Sequence, residues 1–131
     1  MTYGHCLCNA VEYSVSGDPI WSCHCHCNMC RRNSGSSVAS FVSFANSGFQ
    51  ITKGKMSDYE SSPGVKRSFC DQCGTPMAFH GHKFPEEVHL SLGTLVNPGG
   101  YPAQFQVFCA NKLPWLSVDD HTQKFGTLPT E

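Results

Sequence analysis

The sequence predicts a mainly β, loop-rich domain with at most short helical turns. Three observations carry that expectation: short segments in which apolar and polar residues alternate, turn-forming residues at their ends, and nine cysteines, most at metal-ligand spacing, within 131 residues.

In chain order, Val11-Glu12-Tyr13-Ser14-Val15-Ser16 places Val11, Tyr13 and Val15 on one face of a strand, and Val88-His89-Leu90-Ser91-Leu92 does the same with its three aliphatics. Shorter candidates, rich in aromatic and β-branched residues, run over Ser40 to Phe44, Phe49 to Thr52, Met77 to His80 and Phe105 to Cys109. Turns are expected at Gly17-Asp18-Pro19, Asn46-Ser47-Gly48, Ser62-Pro63-Gly64 and Asn97-Pro98-Gly99-Gly100. One helical turn or two is expected over Asn28 to Asn33, where no residue is β-branched and Gly35 can act as C-terminal cap. The polar tail after Pro114-Trp115-Leu116, ending Leu128-Pro129-Thr130-Glu131, is expected to pack loosely.

Length and mass, 131 residues and 14.4 kDa, fit one domain over 1–131 with a modest core. The formal charge of −1 and the pI near 6.6 supply no basic face for nucleic acid and no charge for a membrane surface. No apolar run reaches the length of a spanning helix, and the N-terminus lacks the basic and apolar regions of a signal peptide. The expectation is a soluble, cytoplasmic protein.

Cysteine placement favours metal over disulfides. The count is odd, and Cys-x-Cys spacing would strain an intrapair bridge. Cys6-Leu7-Cys8 and Cys70-Asp71-Gln72-Cys73 form two two-ligand knuckles that together close a four-thiolate, structural zinc site, with Gly74 permitting the tight turn after the second. The run Cys23-His24-Cys25-His26-Cys27-Asn28-Met29-Cys30 then offers three thiolates, Cys25, Cys27 and Cys30, to a second ion. Its fourth ligand is open: Cys23, His24, His26, Cys109, water or a substrate atom. Water or substrate would make the site catalytic, whereas Cys23 would close it. Cys109, behind Phe105 and Val107, reads as a small core residue. All three arginines, Arg31, Arg32 and Arg67, stand beside cysteines, where they could offset thiolate charge or hold a substrate carboxylate.

These residues resemble the glutathione-dependent formaldehyde-activating enzyme family, which includes the centromere protein V-like chains. The similarity runs through Gly4-His5-Cys6-Leu7-Cys8-Asn9-Ala10-Val11-Glu12-Tyr13, then Cys25-His26-Cys27-Asn28-Met29-Cys30-Arg31-Arg32 with Ser34-Gly35-Ser36. It continues through Tyr59 to Gly64, Arg67-Ser68-Phe69-Cys70, Cys73-Gly74-Thr75-Pro76, Gly93-Thr94-Leu95 to Pro98, and Lys112 to Leu116. The resemblance implies a β-tent fold of layered antiparallel sheets around zinc. It also implies a structural site at Cys6, Cys8, Cys70 and Cys73 and a catalytic one at Cys25, Cys27 and Cys30. The implied activity is a carbon–sulfur lyase reaction, forming or cleaving S-(hydroxymethyl)glutathione from formaldehyde and glutathione. Asn9, Val96-Asn97, Gln106 and His121-Thr122 depart from the family's usual residues, outside the cysteine framework.

The expected function is therefore that of a two-zinc lyase-like enzyme acting on a small-molecule thiol or aldehyde adduct, with glutathione as candidate co-substrate. Zinc lowers a bound thiol's pKa and keeps it as thiolate. His24 and His26 are candidates for proton transfer or for orienting the cysteines. Arg31, Arg32 and Arg67 are candidates to hold carboxylates, with Trp21, Tyr59 or Trp115 as apolar walls. The rival expectation is a non-catalytic, zinc-scaffolded binding module.

Overall fold

A computed structural model describes residues 1–129; Thr130 and Glu131, the end of the tail, lie outside the described residues. The chain forms strands β1 (Thr2–His5), β2 (Glu12–Val15) and β3 (Trp21–Cys25), the helix α1 (Asn28–Ser34), then β4 (Ala39–Ala45), β5 (Phe49–Lys53), β6 (Ser57–Ser62) and β7 (Val65–Phe69). It continues with β8 (Pro76–Gly81), β9 (Glu87–Ser91), β10 (Phe105–Val107) and the two-residue β11 (Gln123–Lys124).

Two sheets result. The small one runs β1-β2-β5, and the large one runs β11-β10-β3-β4-β9-β8-β7-β6. Pairing is antiparallel except at one edge, where β10 lies parallel to both β3 and β11. Period-two alternation sorts the side chains between the faces. Val42 and Leu90 are register partners, as are Phe44 and Val88, and all four join Val11, Tyr13 and Val15 in the core shared by the sheets. Fully burying side chains of this size contributes roughly 1.5–3 kcal/mol each. Residues one step away face the other side of the large sheet. There His89 stacks on Phe79 at 5.4 Å and meets Trp21 edge-on at 4.5 Å, while Arg67 lies 5.0 Å over the Phe79 ring.

Each expected strand forms within a residue or two, except that Phe105 to Cys109 stops at Val107. Phe108 takes a left-handed φ of 54°, and Cys109–Asn111 turns as a 3-10 helix, so Cys109 is a half-buried turn residue rather than a strand core position. The helix ends as expected, with Gly35 at φ 71° donating its N–H to Arg31 O. The tail departs from expectation. Phe108, Cys109 and Ala110 donate to the carbonyls of Thr127, Phe125 and Gly126, and Phe125 packs against the second apolar cluster, which contains Cys25 and Val107. Backbone pairing to β10 and one aromatic anchor are what a polarity profile does not reveal.

Gly4 on β1 is tightly enclosed. It pairs with Tyr13 on β2 and bridges to Leu95, and a Cβ there would lie 2.2 Å from the Tyr13 ring and 2.7 Å from Thr94 O. Tyr13 is itself fixed by a 2.8 Å hydrogen bond to Thr94 Oγ1. Gly4→Ala is expected to destabilise the fold by about 2 kcal/mol or more through overpacking. Gly99→Ala, with open space around it, should shift stability by less than about 0.5 kcal/mol. Chemical denaturation of the two variants checks the contrast.

Candidate metal centre and active site

Cys6 and Cys8 lie on the turn that follows β1. Cys6 N donates to Val11 O, Asn9 N to Cys6 O, and Val11 N to the Cys6 sulfur at 3.3 Å. Asn9 adopts a φ of 64°, a left-handed conformation that asparagine tolerates better than most non-glycine residues, which accounts for a residue other than Gly at this position. Cys70 and Cys73 lie on the β7–β8 turn, closed by Gly74 N to Cys70 O at 2.7 Å with Gly74 at φ 80°. All nine cysteines are free thiols. The four sulfurs of Cys6, Cys8, Cys70 and Cys73 lie within 4.8 Å of one another, with Cys6–Cys8 at 3.7 Å and Cys8–Cys70 at 3.8 Å. A tetrahedral zinc with bonds of about 2.3 Å sets its sulfurs roughly 3.8 Å apart, so this cluster could hold that ion. Hydrogen bonds from the Thr75 hydroxyl and N–H push the Cys73 thiol down to about 5. The Ala10 N–H acts to lower Cys8, but burial and the three neighbouring sulfurs outweigh it and push Cys8 up to about 11.

The second cysteine set is split by strand geometry. Cys23 and Cys25 lie on β3 opposite Phe41 and Ala39 of β4, on the face away from the shared core. Cys30 arrives from α1 and accepts a hydrogen bond from the Cys25 thiol at 3.5 Å. Cys27, the residue before α1, is half-buried beside Cys30. Among the described residues, the four-thiol group is the one in which three or more such ligand atoms are drawn close enough to hold an ion; Cys25, Cys27 and Cys30 do not converge to that degree. Arg67 reaches across from β7, nine-tenths buried, and places both terminal nitrogens 3.6 and 3.7 Å from the Cys30 sulfur. Its Nε donates to Ser61 Oγ. The Cys25 hydrogen bond and the Arg67 charge bring the Cys30 thiol down to about 6 against the opposing effect of burial. Cys25, donating to Cys30 and buried, is pushed up. Within the pair the ionised form is favoured on Cys30 and the protonated form on Cys25. Burial, then the charge on Cys30, pushes Cys23 up to about 12.

The histidines lie in separate places. His24 is clamped between Ser40 Oγ at 2.7 Å and Asp119 Oδ2 at 2.5 Å. His26 is fully buried and donates through Nε2 to Gln106 Oε1 at 2.6 Å, while its Nδ1 has no partner. Gln106 in turn donates to Val118 O and to Thr122 Oγ1, so two of the residues that depart from the family's usual ones, Gln106 and Thr122, form one hydrogen-bonded unit. The three arginines diverge as well. Arg31 donates to the carbonyls of His26 and Asn111 and to Asn28 Oδ1, tying the helix to the Cys109 turn. Arg32 is exposed on α1, and only Arg67 contacts a cysteine sulfur. Trp21 packs against His89 and Phe105, whereas Tyr59 and Trp115 are largely exposed. Ser40, Ser61, Phe79 and Asp119 escaped sequence reasoning. For Ser40 and Phe79 the signal was there, since both occupy alternating positions of expected strands.

A cleft of about 620 Å³ opens between the two cysteine groups, with Cys6 on one wall and Cys30 on the other. His5, Leu7, Thr75 and Pro76 come from the first group's turns, and Ser34, Ser36 and Val38 from the end of α1 and the loop beyond.

A mainly β fold with a four-thiol cluster that could hold zinc, and with Cys30, paired with Arg67, on the same cleft, defines a cysteine-rich class with a candidate metal site. Within that class, the sequence profile described as "Glutathione-dependent formaldehyde-activating enzyme" matches residues 1–111, and the chain belongs to that family. It is 28% identical over 83 residues to a Talaromyces marneffei protein named "Putative glutathione-dependent formaldehyde-activating enzyme", covering 62% of this chain and 44% of that one. It is 34% identical over 77 residues to an uncharacterized lyase of Schizosaccharomyces pombe, covering 58% and 55% respectively. The chain thus spans about half the length of the curated relatives it matches. The crystal structure of a Rhodobacter sphaeroides protein, 20% identical, superposes with a TM-score of 0.62 over 94% of this chain and 98% of that one, and shares the fold. No helix among the described residues is long and apolar enough to cross a membrane.

Cys70 is fully buried and central to the four-sulfur cluster. Cys70→Ser is expected to leave the chain unfolded, because a structural zinc contributes folding free energy outright. Loss of the β-sheet circular dichroism signal checks this, and a native spectrum would contradict it.

Proposed function

We propose that this chain is a zinc-dependent, carbon–sulfur lyase-like enzyme that makes and breaks thiol–aldehyde adducts, in the manner of S-(hydroxymethyl)glutathione synthase. The single observation that carries the reading is the Cys30 sulfur, met by both terminal nitrogens of the buried Arg67, on the wall of a cleft that also reaches the four-thiol cluster. Family membership and the lyase-named relative support it.

In this reading Cys6, Cys8, Cys70 and Cys73 hold a structural zinc, while Cys25, Cys27 and Cys30 hold a second ion with a position free for substrate. An ion held there would supply Lewis acidity and would favour the ionised form of a substrate thiol. The chain's own residues do the rest. Arg67, kept in place by Ser61 and the Phe79 ring, balances the charge on Cys30. In the forward direction a bond forms between the thiol sulfur and the aldehyde carbon, and the proton lost from sulfur ends on the former carbonyl oxygen. The reverse step cleaves the same bond. Ser40 lines the cleft and is hydrogen-bonded to His24, which is anchored by Asp119, and in this reading the proton would pass through that pair.

One observation favours a second reading. Cys23 is buried in the same cluster as Cys25 and Cys30 and could supply a fourth thiolate, making a closed scaffold with no chemistry. X-ray absorption of the zinc-loaded protein separates the two: an average of four sulfurs per zinc supports the scaffold, and a lower average supports the enzyme. For the enzyme, Cys27→Ser is expected to stay folded and retain about one zinc per chain, with metal content read by mass spectrometry. Cys30→Ser should abolish acceleration of thiol–formaldehyde exchange measured by NMR, at least a hundredfold down from the unsubstituted protein, which itself must exceed the uncatalysed rate.

A further inference from the structure

Resting on that thiol–aldehyde reading, we infer that the thiol taken by this cleft is uncharged, a hydroxyl- or amide-bearing thiol without carboxylate or ammonium groups. Among the described residues that line the cleft, none is Lys, Arg, Asp or Glu. The surface elsewhere is not short of charge. A second cavity of about 630 Å³, on the β6–β8 side, is lined by Lys55, Lys66, Asp58 and Glu60 together. The charge is missing from this cleft in particular.

Nor do the nearby arginines supply it. Arg67 is enclosed, with its guanidinium directed at the Cys30 sulfur and Ser61 Oγ and its face on Phe79. Arg31 is engaged by the carbonyls of His26 and Asn111. Arg32 is exposed on α1 and does not line the cleft. His5, which does, is held through Nδ1 to Cys6 O at 2.7 Å. Glutathione would bring two carboxylates and an ammonium group to walls with no fixed counter-charge, and charged groups lose water favourably only when such partners replace it.

What the walls do offer is uncharged. Leu7, Val38, Phe41 and Leu92 give apolar surface. Asn33, Ser36 and Ser91 carry side chains that make no hydrogen bond to another described residue and can meet hydroxyls or an amide. Most other hydroxyls on the walls are already engaged, as Ser40 is with His24 and Thr94 with Tyr13 and Ser91 O. A small thiol with a neutral polar end and an apolar stem matches this pattern.

The test uses the zinc-loaded full chain with formaldehyde and three thiols: 1-thioglycerol and N-acetylcysteamine as uncharged probes, and glutathione. NMR exchange spectroscopy reads the acceleration of adduct formation over the protein-free rate for each. At least one uncharged thiol is expected to be accelerated tenfold or more above glutathione, with little dependence on salt. Asn33→Arg, which places a guanidinium on the exposed rim of the cleft, is expected to raise the ratio of glutathione to N-acetylcysteamine acceleration severalfold. Equal or greater acceleration of glutathione by the unsubstituted protein overturns this inference and leaves the proposed function standing. No acceleration of any of the three thiols by folded, zinc-loaded protein overturns the proposed function, and this inference with it.

Discussion

Four sulfurs at the seam between the sheets set the terms for the rest of the structure. Cys6 and Cys8 follow β1 of the small sheet, and Cys70 and Cys73 join β7 to β8 of the large one, so the cluster ties the two layers together. Sulfurs less than 4 Å apart cannot all ionise unaided, because each charge raises the cost of the next. The thiols show that conflict directly, with Cys73 held low by Thr75 and Cys8 forced high by its neighbours. A divalent cation held there would remove the conflict and become part of the fold. Such a tie would help a chain with a modest core use two short strands, β1 and β2, as a lid over Val42, Phe44 and Leu90.

The second cysteine set meets the same difficulty differently. Here the protein supplies a positive charge of its own, Arg67, buried against Cys30. In the proposed second centre, a zinc with three thiolates would carry a net charge of about −1, which one guanidinium would offset, whereas four thiolates would leave about −2. Arg67 would suit the three-thiolate arrangement of that proposal, in which Cys23, buried in the same cluster, would stand beside the ion as packing. The aromatic row from Trp21 through His89 to Phe79 makes the placement of Arg67 precise enough for this, since the ring under the guanidinium is itself fixed by stacking.

Much of this was legible in the sequence, and the gaps have physical causes. β2 and β9 announce themselves because one face is buried and the other is not, the condition under which alternation appears. β3 was hidden because its residues also read as a ligand run; only pairing with β4 shows that Cys23 and Cys25 share a face while His24 turns to Ser40. β6 carries an edge of largely exposed polar residues, so it has no apolar pattern to read. The division of cysteines into 6, 8, 70 and 73 against the rest followed from ligand counting, and the first group does converge. The arginines misled in a specific way. Proximity in sequence to cysteines is shared by all three, but Arg31 is turned to backbone carbonyls by the helix geometry, and no spacing rule could say so.

The cleft lies between these two centres, and its electrostatics follow from them. Were both proposed ions bound, one wall would adjoin a centre of about −2 and the other a centre whose −1 Arg67 would offset. A carboxylate roughly 8 Å from a net charge of −2, at an effective dielectric of about 20, is opposed by about 4 kcal/mol. The one cation close enough to counter that is committed to Cys30, so it cannot also serve a carboxylate. An arginine that stabilises the thiolate and one that recognises an anionic substrate are competing uses of the same residue, and this chain has chosen the first. The neutral lining of the cleft is consistent with that use: a site beside cysteine sulfurs whose nearby guanidinium is engaged would, in the proposed function, discriminate by shape and hydrogen bonding rather than by charge.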